Sequence, residues 1–393
     1  MKLASILDRV AGLGSDKWRV HIRARQMMNR GDAVILLTIG EPDQPTPAEL
    51  VDAAHRAMLG GRTGYSSGRG EASVLKALAA RYSARTGRVI GSDQFIWVPG
   101  TQSALFLLLM ALVEVGDEVI VADPCYATYH GLVRATGAVA VPVALREDRG
   151  FRLAANDVAR AITPRTRVLF LNSPHNPTGA VLARDDVRAL GEVARAHDLW
   201  ILSDEVYESL VFPGATFASP FDETDLADRT VVASSLSKSH AAPGFRAGWC
   251  AGSPAFIARL LPLAETMLFG AQPFIADMAA EALSRDFAIT AQMRDAYAAR
   301  ARHVAEALAG VPGLRVHPPQ AGMFVMLSVE GTGLDGEAFA LRLLDDEKVA
   351  VMPGAAFGDA AAGMVRISLT VPDAALAEGC MRIAALARRL QGG

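Results

Sequence analysis

The chain has 393 residues, 51% hydrophobic and 21% charged, with a formal net charge of −3 at pH 7. That length suits two domains, and that apolar fraction fills a sizeable core, which excludes a disordered chain. The slightly acidic balance excludes a basic footprint for nucleic acid or an anionic membrane surface. The opening MKLASILDRVAGLG carries Asp8 and Arg9 where a leader would be apolar, so no targeting segment is expected. The most apolar run, Ala104–Val113, is about half of the roughly 20 residues a membrane span needs. Three scattered cysteines, Cys125, Cys250 and Cys380, read as reduced thiols of a cytoplasmic protein.

In chain order, Leu36–Ile39 ends in the turn Gly40–Glu41–Pro42–Asp43, and this N-terminal arm is expected to pack with the C-terminal part. Phe95–Val98 predicts a strand, Pro99–Gly100–Thr101 a turn and Gln102–Leu112 an apolar helix. Gly116–Asp117 is a turn before the strand Val119–Ala122. Val168–Leu171 predicts a strand, Asn172–Gly179 a loop, Asp185–His197 a helix, and Leu199–Leu202 and Thr230–Ser234 two further strands. Strands alternating with helices imply βαβ units and a mostly parallel sheet covered on both faces. Ala276–Leu308, rich in Ala, Glu and Arg, predicts one or two long helices. Short strands near Arg315–His317, Met323–Leu327 and Val365–Leu369 and a C-terminal helix complete a second, smaller α/β unit.

In parallel sheets, ligands sit beyond the carboxyl ends of the strands. The polar residues of interest fall there. Ser234–Ser235–Leu236–Ser237–Lys238 follows a strand, and a lysine amine forms a Schiff base with an aldehyde cofactor. The hydroxyls and the planar fork of Arg246 suit a phosphate. Asp204 closes an apolar strand; a carboxylate there keeps a pyridine nitrogen protonated, although a helix N-cap is the common use. Tyr207 follows it. Two prolines and a glycine make Asn172–Gly179 a rigid loop that presents Asn176. Gly100, Thr101 and Gln102 open a helix whose N–H groups can bind phosphate. Tyr126 can stack on a ring. Arg366 lies inside a β pattern, where burial is costly without an anion.

Each motif is weak alone. In this order, from Leu37–Thr38–Ile39–Gly40–Glu41–Pro42–Asp43 to Arg366, they resemble the class I aminotransferases of the aspartate aminotransferase fold. The resemblance implies an α/β chain of pyridoxal-phosphate fold type I. That fold has a large domain on a mostly parallel seven-stranded sheet plus a smaller α/β domain. The corresponding division is an arm with part of the small domain at 1–44, a large domain at 45–275 and a small domain at 276–393.

It further implies pyridoxal 5′-phosphate as cofactor and amino transfer from an L-amino acid to a 2-oxo acid by a ping-pong route. Lys238 would bind the cofactor covalently and shuttle the proton. Asp204 would pair with the ring nitrogen, and Asn176 and Tyr207 with the phenolic oxygen. Gly100, Thr101, Gln102, Ser235 and Arg246 would hold the phosphate, with Tyr65 from the partner of a homodimer. Tyr126 would stack on the ring. Arg366, Gly40 and Asn176 would hold the α-carboxylate.

One departure is Ala242–Pro243–Gly244–Phe245–Arg246, where Pro243 removes an N–H and a hydroxyl near the phosphate. Strings such as Ser173–Pro174–His175–Asn176–Pro177 and Gly322–Met323–Phe324–Val325–Met326 resemble the arginine–pyruvate transaminase branch. A donor other than a dicarboxylate, with pyruvate as acceptor, is expected, because Leu268–Phe274 holds no arginine. Phe269 and Phe274 would offer apolar surface there, and Trp18 or His21 would close over the pocket. Glu41 and Glu265 are the acidic candidates for a basic donor.

Rival readings are a lyase or decarboxylase on the same fold, an aspartate or broad-specificity aminotransferase, and a ligand-sensing domain of a transcription regulator. The last would need a DNA-binding domain, for which the arm before Gly40 is short. The glycines of Gly68–Arg69–Gly70–Glu71–Ala72–Ser73 lack the third glycine of a dinucleotide site, and the eight histidines show no metal-ligand spacing.

Overall fold

The computed structural model describes residues 2–13 and 15–392. Its strands are β1 Ile35–Leu37, β2 Phe95–Pro99, β3 Glu118–Asp123, β4 Val139–Ala144, β5 Thr166–Asn172, β6 Trp200–Asp204, β7 Thr230–Ser235, β8 Ala247–Ala251, β9 Arg315–His317, β10 Phe324–Ser328, β11 Val349–Pro353 and β12 Met364–Ser368. Among the described residues, no helix is long and apolar enough to cross a membrane.

Seven strands form one sheet in the order β2-β8-β7-β6-β5-β3-β4. Only β8 runs against its neighbours; β7, β6, β5, β3 and β4 are parallel to one another. The central strands are short continuous apolar runs, such as Val168–Leu171, because helices bury them from both sides. The helix Thr101–Leu112 packs its leucines on one face of the sheet. On the other, Arg184–Ala196 packs against β5 and β6 residues, and Ala48–Leu59, Ala72–Thr86 and Pro273–Ser284 share a core with β2, β7 and β8. This topology brings the carboxyl ends of β5, β6 and β7, namely Asn172, Asp204 and Ser235, side by side.

The second sheet has the order β1-β11-β12-β10-β9. The arm joins it as expected: β1 pairs in parallel with β11, Leu37 opposite Val351. Helices Ala288–Ala307, Gly336–Glu347 and Asp373–Gln391 close over it in a single core. Arg366 sits in the middle strand, opposite Met326 and Met352.

Three strands were not expected from sequence. β4 is partly exposed and contains Pro142, which argues against a strand unless it lies at an edge, as it does here. β8 reads as small residues around a single large one, Trp249; Gly248 is required there because a Cβ would lie 2.6 Å from the Gly100 Cα. β11 follows its helix without a clear break, since Lys348 supplies the left-handed turn that glycine usually provides. The predicted helical stretch from Ala276 is two helices, Pro273–Ser284 and Ala288–Ala307.

Leu37 is fully buried at the seam between the arm and the second sheet. Leu37→Ala should destabilise the protein by about 2–5 kcal/mol, the usual range for a buried leucine cavity. Urea denaturation followed by circular dichroism reads this as a lower midpoint; an unchanged midpoint would detach the arm from the folded core.

Candidate active site

A cavity of about 230 Å³ opens where the two sheets meet, lined by Lys238, Asp204, Arg246, Arg366, Asn176 and Tyr207 among others. Lys238 lies in the one-turn helix Leu236–Ser239 directly after β7, capped by Ser235, whose hydroxyl accepts from the Ser237 N–H at 3.3 Å. Its Nζ donates to the Gly40 carbonyl at 2.6 Å. Protein atoms crowd the amine, and this burial pulls its pKa down to about 8; Arg366 and Arg246 add to the shift and Glu41 opposes it. Relative to an ordinary lysine, the neutral nucleophilic fraction at neutral pH rises on the order of a hundredfold.

Asp204 is buried at the end of β6. It caps no helix. One oxygen accepts from the Val206 N–H at 3.1 Å, the other from the Tyr129 hydroxyl at 2.7 Å. Tyr129 is itself fixed by stacking on Phe170, ring centres 4.3 Å apart. Burial raises the Asp204 pKa to about 6, and the two hydrogen bonds pull against that rise. Among the described residues it has no cationic partner, so a cation placed against it would hold it ionised.

Arg366 is 2% exposed. It donates to the Thr38 carbonyl at 2.7 Å and to the Asn176 side-chain oxygen at 2.9 Å. Its guanidinium lies between the rings of Phe324 and Phe357, 3.8 and 4.4 Å from their centres. Nε has no partner. Burial lowers its pKa to about 10. A buried cation with neutral partners and an orphan donor calls for an anion. Gly40 lies against the same Phe324, and a Cβ there would sit 2.1 Å from the ring.

The third corner is a cradle. Gly100 adopts φ +84°, and a Cβ there would be 2.4 Å from Arg246 Nη2. The helix N-terminus at Thr101 follows, with the Thr101 hydroxyl donating to Ser235 Oγ at 2.9 Å. Arg246 donates only to carbonyls, Pro243 at 2.8 Å and Pro99 at 3.4 Å, and makes no ion pair among the described residues. Pro243 therefore contributes a carbonyl that aims Arg246. Gln102 also lines the cavity and accepts from Thr128 at 3.3 Å. Hydroxyls, a helix N-terminus and an uncompensated arginine form a site for a dianion. Tyr126 and Tyr207 line the space between the corners, and burial raises both their pKa values.

Not every expected residue falls here. Tyr65 is 90% exposed, in a separate hollow with Phe269, Phe274 and Gln272, its ring edge-on to Phe269 at 5.1 Å. Glu41 lines a neighbouring hollow that shares Pro243 and Arg246 with the cavity. Glu265 packs at Gly68 and does not line the cavity. Trp18 does line it. His21 bonds Thr38 Oγ1 at 2.8 Å, behind Arg366. Tyr129 is the site residue that sequence reading missed. The available signal was its spacing of three from Tyr126, which puts both rings at one turn.

The family model described as aminotransferase class I and II matches residues 32–383. The chain is 45% identical over 392 residues, all of both chains, to arginine–pyruvate transaminase AruH of Pseudomonas aeruginosa. It is 33% identical to an aspartate aminotransferase of Geobacillus stearothermophilus over 98% of each chain. The structure of aspartate aminotransferase from Thermus thermophilus with maleate superposes with a TM-score of 0.91 at 31% identity, covering 98% of this chain and 100% of that one.

Tyr129→Phe removes a hydrogen bond to the charged form of a buried carboxylate, which raises the carboxyl pKa. The proton affinity of Asp204 should rise about tenfold or more. Carbon-13 NMR of aspartate carboxyls across pH reports this directly; an unmoved Asp204 titration would make the Tyr129 contact incidental.

Proposed function

The chain belongs to the class I and II aminotransferases, enzymes that work with pyridoxal 5′-phosphate, and on that premise we propose a role for each residue of the cavity. The cavity fits the cofactor: the cradle at Gly100, Thr101, Gln102, Ser235 and Arg246 suits a dianion, and buried Asp204, with no cationic side chain against it among the described residues, suits a protonated ring nitrogen. When bound, the cofactor supplies an aldehyde that accepts the amino group and a protonated ring that draws electrons from the substrate α-carbon.

Lys238 anchors the cofactor. Its lowered pKa lets Nζ exist as a free amine near neutrality, so it can take the α-proton of the donor and return one in the reverse direction. Asp204, held by Tyr129, keeps its charge beside the ring nitrogen. Asn176 and Tyr207 would hold the phenolic oxygen, and Tyr126 would cover a ring face. Arg366, with its unpaired Nε, grips the α-carboxylate, beside Gly40, whose missing side chain lets Phe324 pack close. Donor and acceptor would use the same grip in turn, the first product leaving before the second substrate binds, as a ping-pong cycle requires. The buried, anion-seeking Arg366 facing Lys238 in one cavity carries this reading.

The donor we assign is arginine and the acceptor pyruvate. The support is the full-length similarity to an arginine–pyruvate transaminase and the absence of a cation beyond Lys238, Arg246 and Arg366 in the cavity lining. We place a second copy of the chain over the Tyr65–Phe269 hollow, whose exposed aromatic pair suits burial in a homodimer. We also propose the three-part division at 1–44, 45–275 and 276–393, with the second boundary moved to the break at 285–287. Helix Pro273–Ser284 packs on Ala48–Leu59 and Ala72–Thr86, within the core of the larger sheet. A cytoplasmic location agrees with three buried free cysteines.

Lys238→Ala should lose multiple turnover and all covalent attachment. Borohydride reduction and peptide mapping of the wild type should place the label on Lys238; a label on another lysine overturns the assignment. For the donor, single-turnover conversion of the cofactor by arginine, alanine, a bulky apolar amino acid and aspartate should rank arginine first. Aspartate should trail by about tenfold or more, as expected for a second carboxylate without a partner. A clear aspartate advantage overturns the arginine assignment.

A further inference from the structure

We infer that Trp18 is the wall that selects the amino donor by its side chain, an inference that rests on the arginine–pyruvate reading above. Four charged side chains line the cavity: Lys238, Asp204, Arg246 and Arg366. Cofactor and α-carboxylate engage all four. Toward the arm, the remaining lining is Trp18 and Ile39, both apolar and both partly open to solvent.

Trp18 is held in place from several sides. Its indole packs on the cluster of Ala127, Met352, Ala356 and Phe357, and the His21 ring stands edge-on to it with the ring centres 6.4 Å apart. Phe357 is also the ring on which the Arg366 guanidinium rests, at 4.4 Å. The carboxylate grip and the indole are thus joined through one phenyl ring. Trp18 and Arg366 line the same cavity, so a donor held by Arg366 shares it with the indole.

That surface discriminates by chemistry. Among the described residues the cavity lining on that side holds no cation for a second carboxylate, and the neighbouring Lys17 amine is turned to the Ala127 carbonyl at 3.2 Å. A guanidinium is planar, weakly hydrated and attracted to the face of an indole. A long side chain gains contact that the methyl group of alanine cannot reach. Trp18 therefore favours arginine over short donors and over dicarboxylates without supplying a negative charge.

The test compares wild type, Trp18→Leu and Trp18→Phe holoenzymes on arginine, alanine and norleucine. In Trp18→Leu, the ratio of kcat/KM for arginine over alanine should fall about thirtyfold, mainly through KM. Trp18→Phe, which keeps a ring face, should hold the ratio within about threefold. Calorimetric binding of α-methylarginine, which has no α-hydrogen to lose, should weaken in Trp18→Leu in step with KM. Equal losses on arginine and alanine, or no loss on either, overturn the inference and leave Trp18 as a support for Phe357. If the wild type ignores arginine, the donor assignment fails by itself. Trp18 is then judged on norleucine over alanine, and an unchanged ratio in Trp18→Leu overturns the wall as well.

Discussion

Arg366 carries a full positive charge into the middle of a sheet where every partner is neutral. Four separate parts of the chain are arranged around it. The arm offers the Thr38 carbonyl, the loop after β5 offers the Asn176 amide oxygen, and Phe324 and Phe357 sandwich the guanidinium. Removing a charge from water is costly, and neutral hydrogen bonds with ring faces offset that cost only partly. The unpaired Nε is the visible remainder. The same constraint fixes its neighbours: Gly40 cannot carry a side chain because Phe324 occupies that space, and the Gly40 carbonyl in turn receives the Lys238 amine.

The cavity as a whole is poised by opposite shifts. Burial holds the Lys238 amine and the Arg366 guanidinium below their ordinary pKa values, and holds the Asp204 carboxyl above its own. Each group is therefore strained toward its neutral form, and each is relieved by a charge of the opposite sign. On the proposed reading a ring N–H would relieve Asp204 and an α-carboxylate would relieve Arg366, while Lys238 serves as the neutral amine. The same desolvation that frees the Lys238 amine leaves Asp204 and Arg366 seeking a charge of opposite sign.

The fold places these corners by strand order. Asn172, Asp204 and Ser235 end three adjacent parallel strands, so the loop with Asn176, the carboxylate and the lysine turn converge without long connections. Arg366 comes from the other sheet and Gly40 from the arm, which is why the cavity lies at their junction. The exposed Tyr65 and Phe269 mark where one chain alone leaves apolar surface uncovered.

Much of this was legible in the sequence. Apolar runs separated by turn residues determined the strands β2, β3, β5, β6 and β7, because a buried parallel strand must be continuously apolar. Lys238, Asp204, Asn176 and Arg366 were weak signals one by one and stood out only through their order along the chain, which resembles a known family. Tertiary structure alone decided the rest. β4 and β8 were hidden by Pro142 and by small residues, whose use depends on an edge position and on the Gly100 backbone across the sheet. Tyr129 looked like any aromatic residue until folding brought its hydroxyl to a carboxylate 75 positions away. Trp18 and Glu265 were candidates for the pocket on different grounds, and packing separated them: one lines the cavity and the other fills the space beside Gly68. Periodicity and turn chemistry are local and can be read along the chain, whereas a hydrogen bond or a stacked ring between distant residues exists only once the sheets are assembled.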